Sequence, residues 1–181
     1  MRFLSTKQII LCSLFAALTA ICAAISIPLG FTPAPITLQV FAVFLTAIIL
    51  GGKLGFISQI IYVFIGAIGF PVFSFMTGGL QKIAGPTGGY ITSLPFAALI
   101  VGYMFSKKGT INKIIGLFLG LVCIYSFGAV HFSIVSNVSI LKAISLTILP
   151  FIPLDILKIA LAYFVGIRVS KSIKSLSYKA I

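Results

Sequence analysis

The sequence predicts an all-α integral membrane protein, built as a bundle of six transmembrane helices with both termini in the cytoplasm. Of its 181 residues, 60% are hydrophobic and only 8% are charged, whereas soluble domains are ~45–50% apolar. Six apolar runs, most of them near the ~17–25 residues that cross a bilayer core, set the number of helices. The basic residues between the runs set their orientation.

The six apolar runs place all helices in a single membrane domain, residues 1–181. The predicted helices are 8–28, 38–52, 54–73, 90–106, 114–135 and 154–170, and residues 138–149 are predicted to form a short helix in the outer interface. The second run is short, and only Lys53 separates it from the third. These two runs therefore predict a helical hairpin with a tight turn at residues 51–55.

The basic residues are distributed unevenly along the chain. Thirteen Lys and Arg stand against one acid, a net charge of +12 that could attract nucleic acid or anionic lipid. With a cytoplasmic N-terminus, only Lys82 and Lys142 fall in outer loops and only Lys158 falls in a helix. The predicted inner residues are Arg2, Lys7, Lys53, Lys107, Lys108, Lys113, Arg168, Lys171, Lys174 and Lys179. This bias follows the positive-inside rule. The predicted partner of the basic residues is therefore the lipid bilayer with its anionic headgroups, and no nucleic acid is expected to bind.

The N-terminal segment, residues 1–23, also has features of a secretory signal, because Arg2 and Lys7 precede an apolar stretch that contains small residues. The apolar run continues through Ile27, which favours a membrane crossing.

Small residues in the predicted helices indicate close packing. Cys12, Cys22 and Cys123 lie inside predicted helices without metal-ligand spacing, so we expect neither a disulfide nor a metal site. On the first helix, small side chains recur every fourth residue and let another backbone approach. The stripe consists of Ala16, Ala20 and Ala24. It packs either inside the bundle or against a partner membrane protein, and the sequence leaves both open.

Asp155 is the only carboxylate of the chain, and Lys158 follows three residues later on the same face of the last predicted helix. Ionisable groups in membrane helices are costly and normally face a cavity or each other. We therefore expect a ligand site here. The alternatives are a structural ion pair and an aspartate that only favours the positive helix N-terminus.

A glycine-rich segment leads into the fourth predicted helix. Its residues are Gly78, Gly79, Gly85, Pro86, Thr87, Gly88, Gly89 and Tyr90. Such backbone can direct free N–H groups at a ligand, although a tight turn between helices would use the same residues. A phosphate-binding P-loop needs a lysine directly after its last glycine, whereas Lys82 precedes this cluster.

A stiff loop before the second helix ends in two polar residues, Thr37 and Gln39. The predicted topology places this loop, the glycine-rich segment and the start of the last helix at the outer membrane face, so the three features converge. His131 has no ligating neighbour in register, and we expect it to be a hydrogen-bonded bundle residue. Core or interface positions are expected for Tyr62, Tyr103, Tyr125 and Tyr163.

Four motifs in this order and spacing resemble the BioY family, the biotin-specific substrate-binding S components of energy-coupling-factor (ECF) transporters. They are PAPITLQ at 33–39, GFPVF at 69–73, GPTGGY at 85–90 and the Asp155, Lys158 pair after PFIP. The resemblance covers nearly the whole chain. It departs from the family pattern at Leu154, where a glycine is expected, and at Phe75, where relatives can carry a polar residue.

The resemblance implies a multi-pass protein of a bacterial or archaeal plasma membrane that takes up biotin without a cofactor. It implies a membrane T component and two cytoplasmic ATPases as partners, and the alanine stripe looks like the family's docking motif. Biotin combines ureido N–H donors, a carbonyl acceptor, an apolar bicycle and a carboxylate tail. Asp155 can accept from the ureido edge. Donors can come from Lys158, Lys82, Tyr90, Gln39, Thr37 and the N–H groups of Gly85, Gly88 and Gly89.

Two other functions compete with biotin binding for an ECF transporter. A stand-alone or proton-coupled vitamin carrier would need no ATPase, and its uptake would depend on pH through Asp155. An integral membrane enzyme has less support, because the sequence provides no nucleophile with a base in register.

Overall fold

The computed structural model describes residues 4–179, with the side chains of residues 173–179 left undescribed. Arg2 and the side chains of Lys174 and Lys179, which contribute to the charge bias, lie outside this part. Seven helices and two strands follow one another along these described residues. They are α1 (Thr6–Ala24), β1 (Ser26–Leu29), β2 (Thr32–Thr37), α2 (Gln39–Ala67), α3 (Leu80–Ala84), α4 (Gly88–Ser106), α5 (Thr110–Val135), α6 (Ile140–Thr147) and α7 (Ile152–Lys179), with a 3₁₀ turn at Ser74–Met76.

A β-hairpin follows α1, so the fold is not entirely helical and the first helix ends four residues before the predicted residue 28. Pro28 restricts the residue before it to extended backbone, which stops the helix. Ser26 pairs with Thr37 and Leu29 pairs with Thr32 in an antiparallel sheet of two strands. Each strand has an unpaired edge, which tolerates the prolines of this segment.

Helix α2 folds back on itself at Gly51, whose φ of 80° and ψ of 174° lie outside the helical region. Gln39 and Tyr62 are 23 residues apart, yet their side chains are hydrogen-bonded at 3.0 Å. A straight helix would separate them by ~35 Å. A glycine suits the turn because its φ is positive. We refer to residues 39–50 as the first arm of α2 and to residues 52–67 as the second arm.

The second arm of α2 ends at Ala67 rather than at the predicted residue 73. Gly69, with φ of 109°, and Pro71 follow directly and prevent the helix from continuing. Beyond them, the predicted break at 74–89 contains the 3₁₀ turn and the five-residue α3. The remaining helices begin up to four residues before their predicted starts, apart from α6, which lies inside the predicted interfacial segment 138–149.

The core lies around α2 and α4. Phe44, Val43 and Val101 are completely buried there. Gly102 of α4 packs directly on the backbone at Gly52, because a methyl group at Gly102 would overlap the Gly52 nitrogen. Small residues thus let α4 approach the turn of α2 closely.

Helix α1 packs against the second arm of α2. Ala16 is only 3% exposed and belongs to the core, and Ala20 lies half-buried beside Ile61 and Ile65. The alanine stripe therefore contributes to packing inside the bundle, one of the two alternatives that the sequence leaves open.

Four helices in the described part of the chain are long and apolar enough to cross a membrane, namely α1, α2, α4 and α5. Helices α6 and α7 form a bent pair, with 58° between them, that counts as a fifth span if the two halves cross together. The chain is therefore a multi-pass membrane protein.

Candidate functional site

A cavity at one end of the bundle collects residues from β2, α2, α4, α5, α6 and α7. It holds about 690 Å³ of empty space, part of which is its open mouth. The wall consists of Ala34, Pro35, Thr37, Gln39, Val40, Ser74, Thr87, Tyr90, Ile91, Leu94, Ile124, Tyr125, Thr147, Phe151, Asp155 and Lys158. Five of the predicted site residues therefore meet in one place: Asp155, Lys158, Tyr90, Gln39 and Thr37.

Asp155 and Lys158 form a buried ion pair in the wall of the cavity. The Lys158 Nζ atom lies 2.8 Å from Asp155 Oδ1, and the two residues are only 7% and 3% exposed. Tyr125 donates its hydroxyl proton to Asp155 Oδ2 at 2.8 Å. A buried charge pair is tolerated when further hydrogen bonds satisfy it. Asp155 also lies in the first turn of α7, where the helix dipole favours a negative charge.

Tyr90 connects α4 to α6 across the cavity. Its hydroxyl donates to Thr147 Oγ1 at 2.6 Å, and Thr147 donates in turn to the Ala143 carbonyl oxygen at 2.7 Å. The ring lies directly on Gly128 of α5, where a methyl group would overlap it. The missing side chain of Gly128 thus leaves the space that the Tyr90 ring occupies.

Gln39 begins α2 at the opposite wall. Its backbone N–H donates to Thr37 Oγ1 at 3.2 Å, and its side-chain amide donates to the Tyr62 hydroxyl at 3.0 Å. Tyr62 donates its own proton to the Val72 carbonyl oxygen at 3.1 Å. Residues of β2, α2 and the loop after α2 are therefore connected by hydrogen bonds beside the cavity.

Apolar side chains form the rest of the wall, chiefly Val40, Ile91, Leu94, Ile124 and Phe151. Ligand sites in proteins typically combine such walls with a few placed polar groups. Here the polar groups include an acceptor, Asp155, and the donor Lys158. The cavity suits a small ligand that has an apolar body and carries donors and acceptors side by side.

The three glycines that were predicted to contact a ligand do not reach the cavity, although Thr87 and Tyr90 of the same glycine-rich segment line it. Gly85, Gly88 and Gly89 are absent from its wall, and substituting a methyl group at Gly88 or Gly89 would overlap Ile83 or His131. Gly85, Gly88 and Gly89 therefore allow tight packing against α3 and α5. Lys82, half-buried on α3, also lies outside the wall. The predicted role of these four residues in ligand contact has no support from their positions.

His131 lies with Nε2 3.0 Å from the Gly85 carbonyl oxygen, the arrangement expected of a hydrogen-bonded bundle residue. It therefore fixes the glycine-rich segment to α5.

Sequence reasoning missed several wall residues. Tyr125 was expected to be a core or interface aromatic, yet it contacts Asp155. A buried carboxylate needs more than one hydrogen-bond donor, so a further donor to Asp155 could be expected. Nothing in the sequence, however, distinguished Tyr125 from the other tyrosines. Thr147 lies in the short helix predicted to be interfacial. Phe75 is exposed, whereas its neighbour Ser74 lines the cavity.

The fold and the cavity together define a class: a multi-pass protein of the cell membrane that presents a binding site for a small ligand at one end of its helical bundle. The model of the BioY family matches residues 1–175. The chain therefore belongs to the BioY family, which confirms the resemblance seen in the sequence. This is a family of transporters, not of enzymes.

Two relatives and one solved structure show how close the similarity is. The chain is 42% identical over 165 residues to the probable biotin transporter BioY of Pyrococcus horikoshii, covering 91% of this chain and 97% of the relative. It is 39% identical over 166 residues to the biotin transporter BioY of Thermotoga maritima, covering 91% and 96%. The crystal structure of the S-component for biotin from an ECF-type ABC transporter matches with a TM-score of 0.84 and 28% identity, covering 93% of this chain and 95% of that chain.

Proposed function

We propose that the chain binds biotin in this cavity and serves as the substrate-specific subunit of an ECF transporter. The observation that carries the proposal is the Asp155–Lys158 pair in an otherwise largely apolar wall. The pair is neutral overall, so it suits a neutral group that offers donors and an acceptor together. The ureido group of biotin is such a group, and the relatives named as biotin transporters support the choice.

The cavity accommodates each part of biotin in a distinct way. Asp155 retains lone pairs beyond those used by Lys158 and Tyr125, and these accept the ureido N–H groups. The apolar bicycle packs against Ile91, Leu94 and Phe151. Lys158 is the only cation in the wall that the described residues form. The carboxylate tail therefore uses neutral donors elsewhere in the wall, such as Ser74, Thr87 and Gln39.

Isothermal titration of the purified protein with biotin tests the site. Asp155→Asn should weaken binding by ~1.5–3 kcal/mol, or roughly 10- to 150-fold, because a hydrogen bond to a charged group is lost. Lys142→Gln removes an exposed lysine on α6 and should bind biotin like the wild type. Unchanged affinity of Asp155→Asn would remove Asp155 from the site.

A second variant guards against simple unfolding, because Asp155→Asn leaves the Lys158 charge buried without its partner. Asp155→Asn combined with Lys158→Met has no buried charge and should keep the fold. It should also bind biotin weakly, since it lacks both charged groups. Strong binding by this folded double variant would contradict the proposed site.

We propose further that the chain crosses the membrane six times, with each arm of α2 as one crossing, and that both termini are cytoplasmic. Support comes from the distribution of charge: Lys53 follows the turn of α2, and Lys107, Lys108 and Lys113 lie between α4 and the first turn of α5. These sites are at the end of the bundle that lacks the cavity. The cavity would then open to the outside. The first arm is short for a full crossing.

Labelling of single cysteines in a background without Cys12, Cys22 and Cys123 tests this topology. Lys53→Cys should react with a membrane-impermeant maleimide only after the cells are permeabilised, and Phe31→Cys should react in intact cells. Reaction of Lys53→Cys from outside would contradict the proposed orientation.

The proposed partners are a membrane T component and two cytoplasmic ATPases. On α1, the half-buried Ala20 and Ala24 are the proposed docking residues of the alanine stripe, whereas Ala16 is already buried in the core. The ECF-type transporter named for the matching solved structure supports these partners. Biotin uptake should require co-expression of the ATPases. Equal uptake with and without them would favour a stand-alone carrier instead.

A further inference from the structure

Tyr62 lies beside the proposed biotin site without lining it. The residue is in the second arm of α2, is only 1% exposed, and packs its ring edge-on against Phe73 with centroids 5.6 Å apart. Its hydroxyl contacts two elements at once, the start of α2 through Gln39 and the loop after α2 through Val72.

The two hydrogen bonds of this hydroxyl have fixed directions. A carbonyl oxygen can only accept, so the Tyr62 proton goes to Val72, at 3.1 Å. The Tyr62 oxygen must then accept from Gln39, and only the NH₂ group of the Gln39 amide can donate, at 3.0 Å. The order of donors and acceptors therefore determines which way the Gln39 amide is turned.

The other side of the Gln39 amide is available to a ligand. No described residue donates a hydrogen bond to Gln39 Oε1, and Gln39 lines the cavity. With its NH₂ group held by Tyr62, Gln39 presents a carbonyl oxygen and one further N–H. Holding this amide in advance lowers the entropic cost of binding, because the side chain no longer has to be ordered by the ligand.

We propose that Tyr62 is a positioning residue of the ligand site, which orients the Gln39 amide through its hydroxyl and thereby raises the affinity for the ligand. This inference rests on the proposed function, since biotin is the ligand used to measure it. Tyr62 acts through Gln39 and does not touch the ligand.

Tyr62→Phe is the direct test, because it removes only the hydroxyl and keeps the ring on Phe73. Its affinity for radiolabelled biotin should be about 3- to 10-fold lower than that of the wild type, the range that loss of a neutral hydrogen bond produces. Tyr163→Phe is the matched control. Tyr163 is a half-buried tyrosine of α7 whose hydroxyl has no hydrogen-bond partner within the described residues, and its substitution should change the affinity less than twofold.

A double-mutant cycle separates positioning from a structural role. Gln39→Met removes the amide at similar size and should weaken binding at least as much as Tyr62→Phe. The Tyr62→Phe/Gln39→Met double variant should bind within about twofold of Gln39→Met alone, because Tyr62 has nothing left to orient. A purely structural Tyr62 would instead give fold-changes that multiply.

The outcomes distinguish the two proposals. A wild-type protein that does not bind biotin contradicts the proposed function. If the wild type binds, the positioning role is overturned by unchanged affinity in Tyr62→Phe, by multiplying fold-changes in the cycle, or by wild-type affinity in Gln39→Met. Wild-type affinity in Gln39→Met overturns the positioning role even if Tyr62→Phe does not fold.

Discussion

Substitution of Gly128 should change the shape of the cavity. A methyl group at this position of α5 would overlap Cε1 and Cζ of the Tyr90 ring. The ring lies between Gly128 and the cavity, so Gly128→Ala pushes it toward the ligand. Ordinary contact distances require a shift on the order of 1 Å or more.

The displaced ring loses a hydrogen bond and overpacks its surroundings, and both effects destabilise the protein. A ring shift of about 1 Å is large enough to break the 2.6 Å hydrogen bond from Tyr90 to Thr147. That loss costs ~0.5–1.5 kcal/mol, and overpacking adds ~1–3 kcal/mol. Replacing glycine by alanine inside a helix stabilises the folded protein by ~1 kcal/mol through the higher helix propensity of alanine. Gly128→Ala should therefore destabilise the protein by roughly 0.5–3.5 kcal/mol. It should also lower the affinity for biotin ~10-fold or more, because the displaced ring occupies ligand space.

The assay is a biotin titration paired with thermal unfolding in detergent. Gly116→Ala is the matched control, because it makes the same substitution on the same helix and clashes with Met104, remote from the cavity. It should lower stability while leaving the affinity of the folded protein unchanged. Gly128→Ala combined with Tyr90→Leu should recover stability and still bind weakly. Wild-type affinity in a folded Gly128→Ala protein would show that the position of the Tyr90 ring does not limit the space for the ligand.

Three further predictions concern single positions. Thr147→Val removes the oxygen that accepts from Tyr90 and should weaken biotin binding about 3- to 10-fold in the same titration, whereas Ser145→Ala on the exposed side of α6 should not. Lys158→Met leaves Asp155 buried without its cation and should destabilise the protein by ~3–5 kcal/mol in thermal or denaturant unfolding; a loss below 1 kcal/mol would mean that the pair is solvated. Gly51→Ala forces a side chain into the backbone conformation of the α2 turn and should cost ~1–3 kcal/mol, while Gly30→Ala, at an open position, should cost less.

Much of the fold followed from the sequence because membrane helices leave a strong signal. The apolar runs located all the long helices, and the glycines around Lys53 located the turn of α2. The β-hairpin was missed because its strands have only four and six residues. Strand β1 continues the apolar run of α1, and β2 lies in the segment that was predicted as a stiff loop. Only Pro28 marked the boundary, and a proline alone does not distinguish a loop from a strand.

The charged residues of the candidate site could be predicted from the sequence, whereas the residues that only packing brings to the cavity could not. Asp155 and Lys158 stand out as ionisable residues in an apolar segment, and they meet in the cavity wall. The glycines at 85, 88 and 89 were expected to approach a ligand, but they approach α3 and α5 instead. Both uses require the absence of a side chain, so the sequence could not separate them.

Native mass spectrometry of the protein, purified from cells supplied with biotin, shows whether the chain holds biotin through Asp155. The account predicts one biotin bound per chain in the wild type and a much lower occupancy in Asp155→Asn. A folded wild-type protein that carries no biotin, or that keeps biotin equally well without the carboxylate, would contradict it.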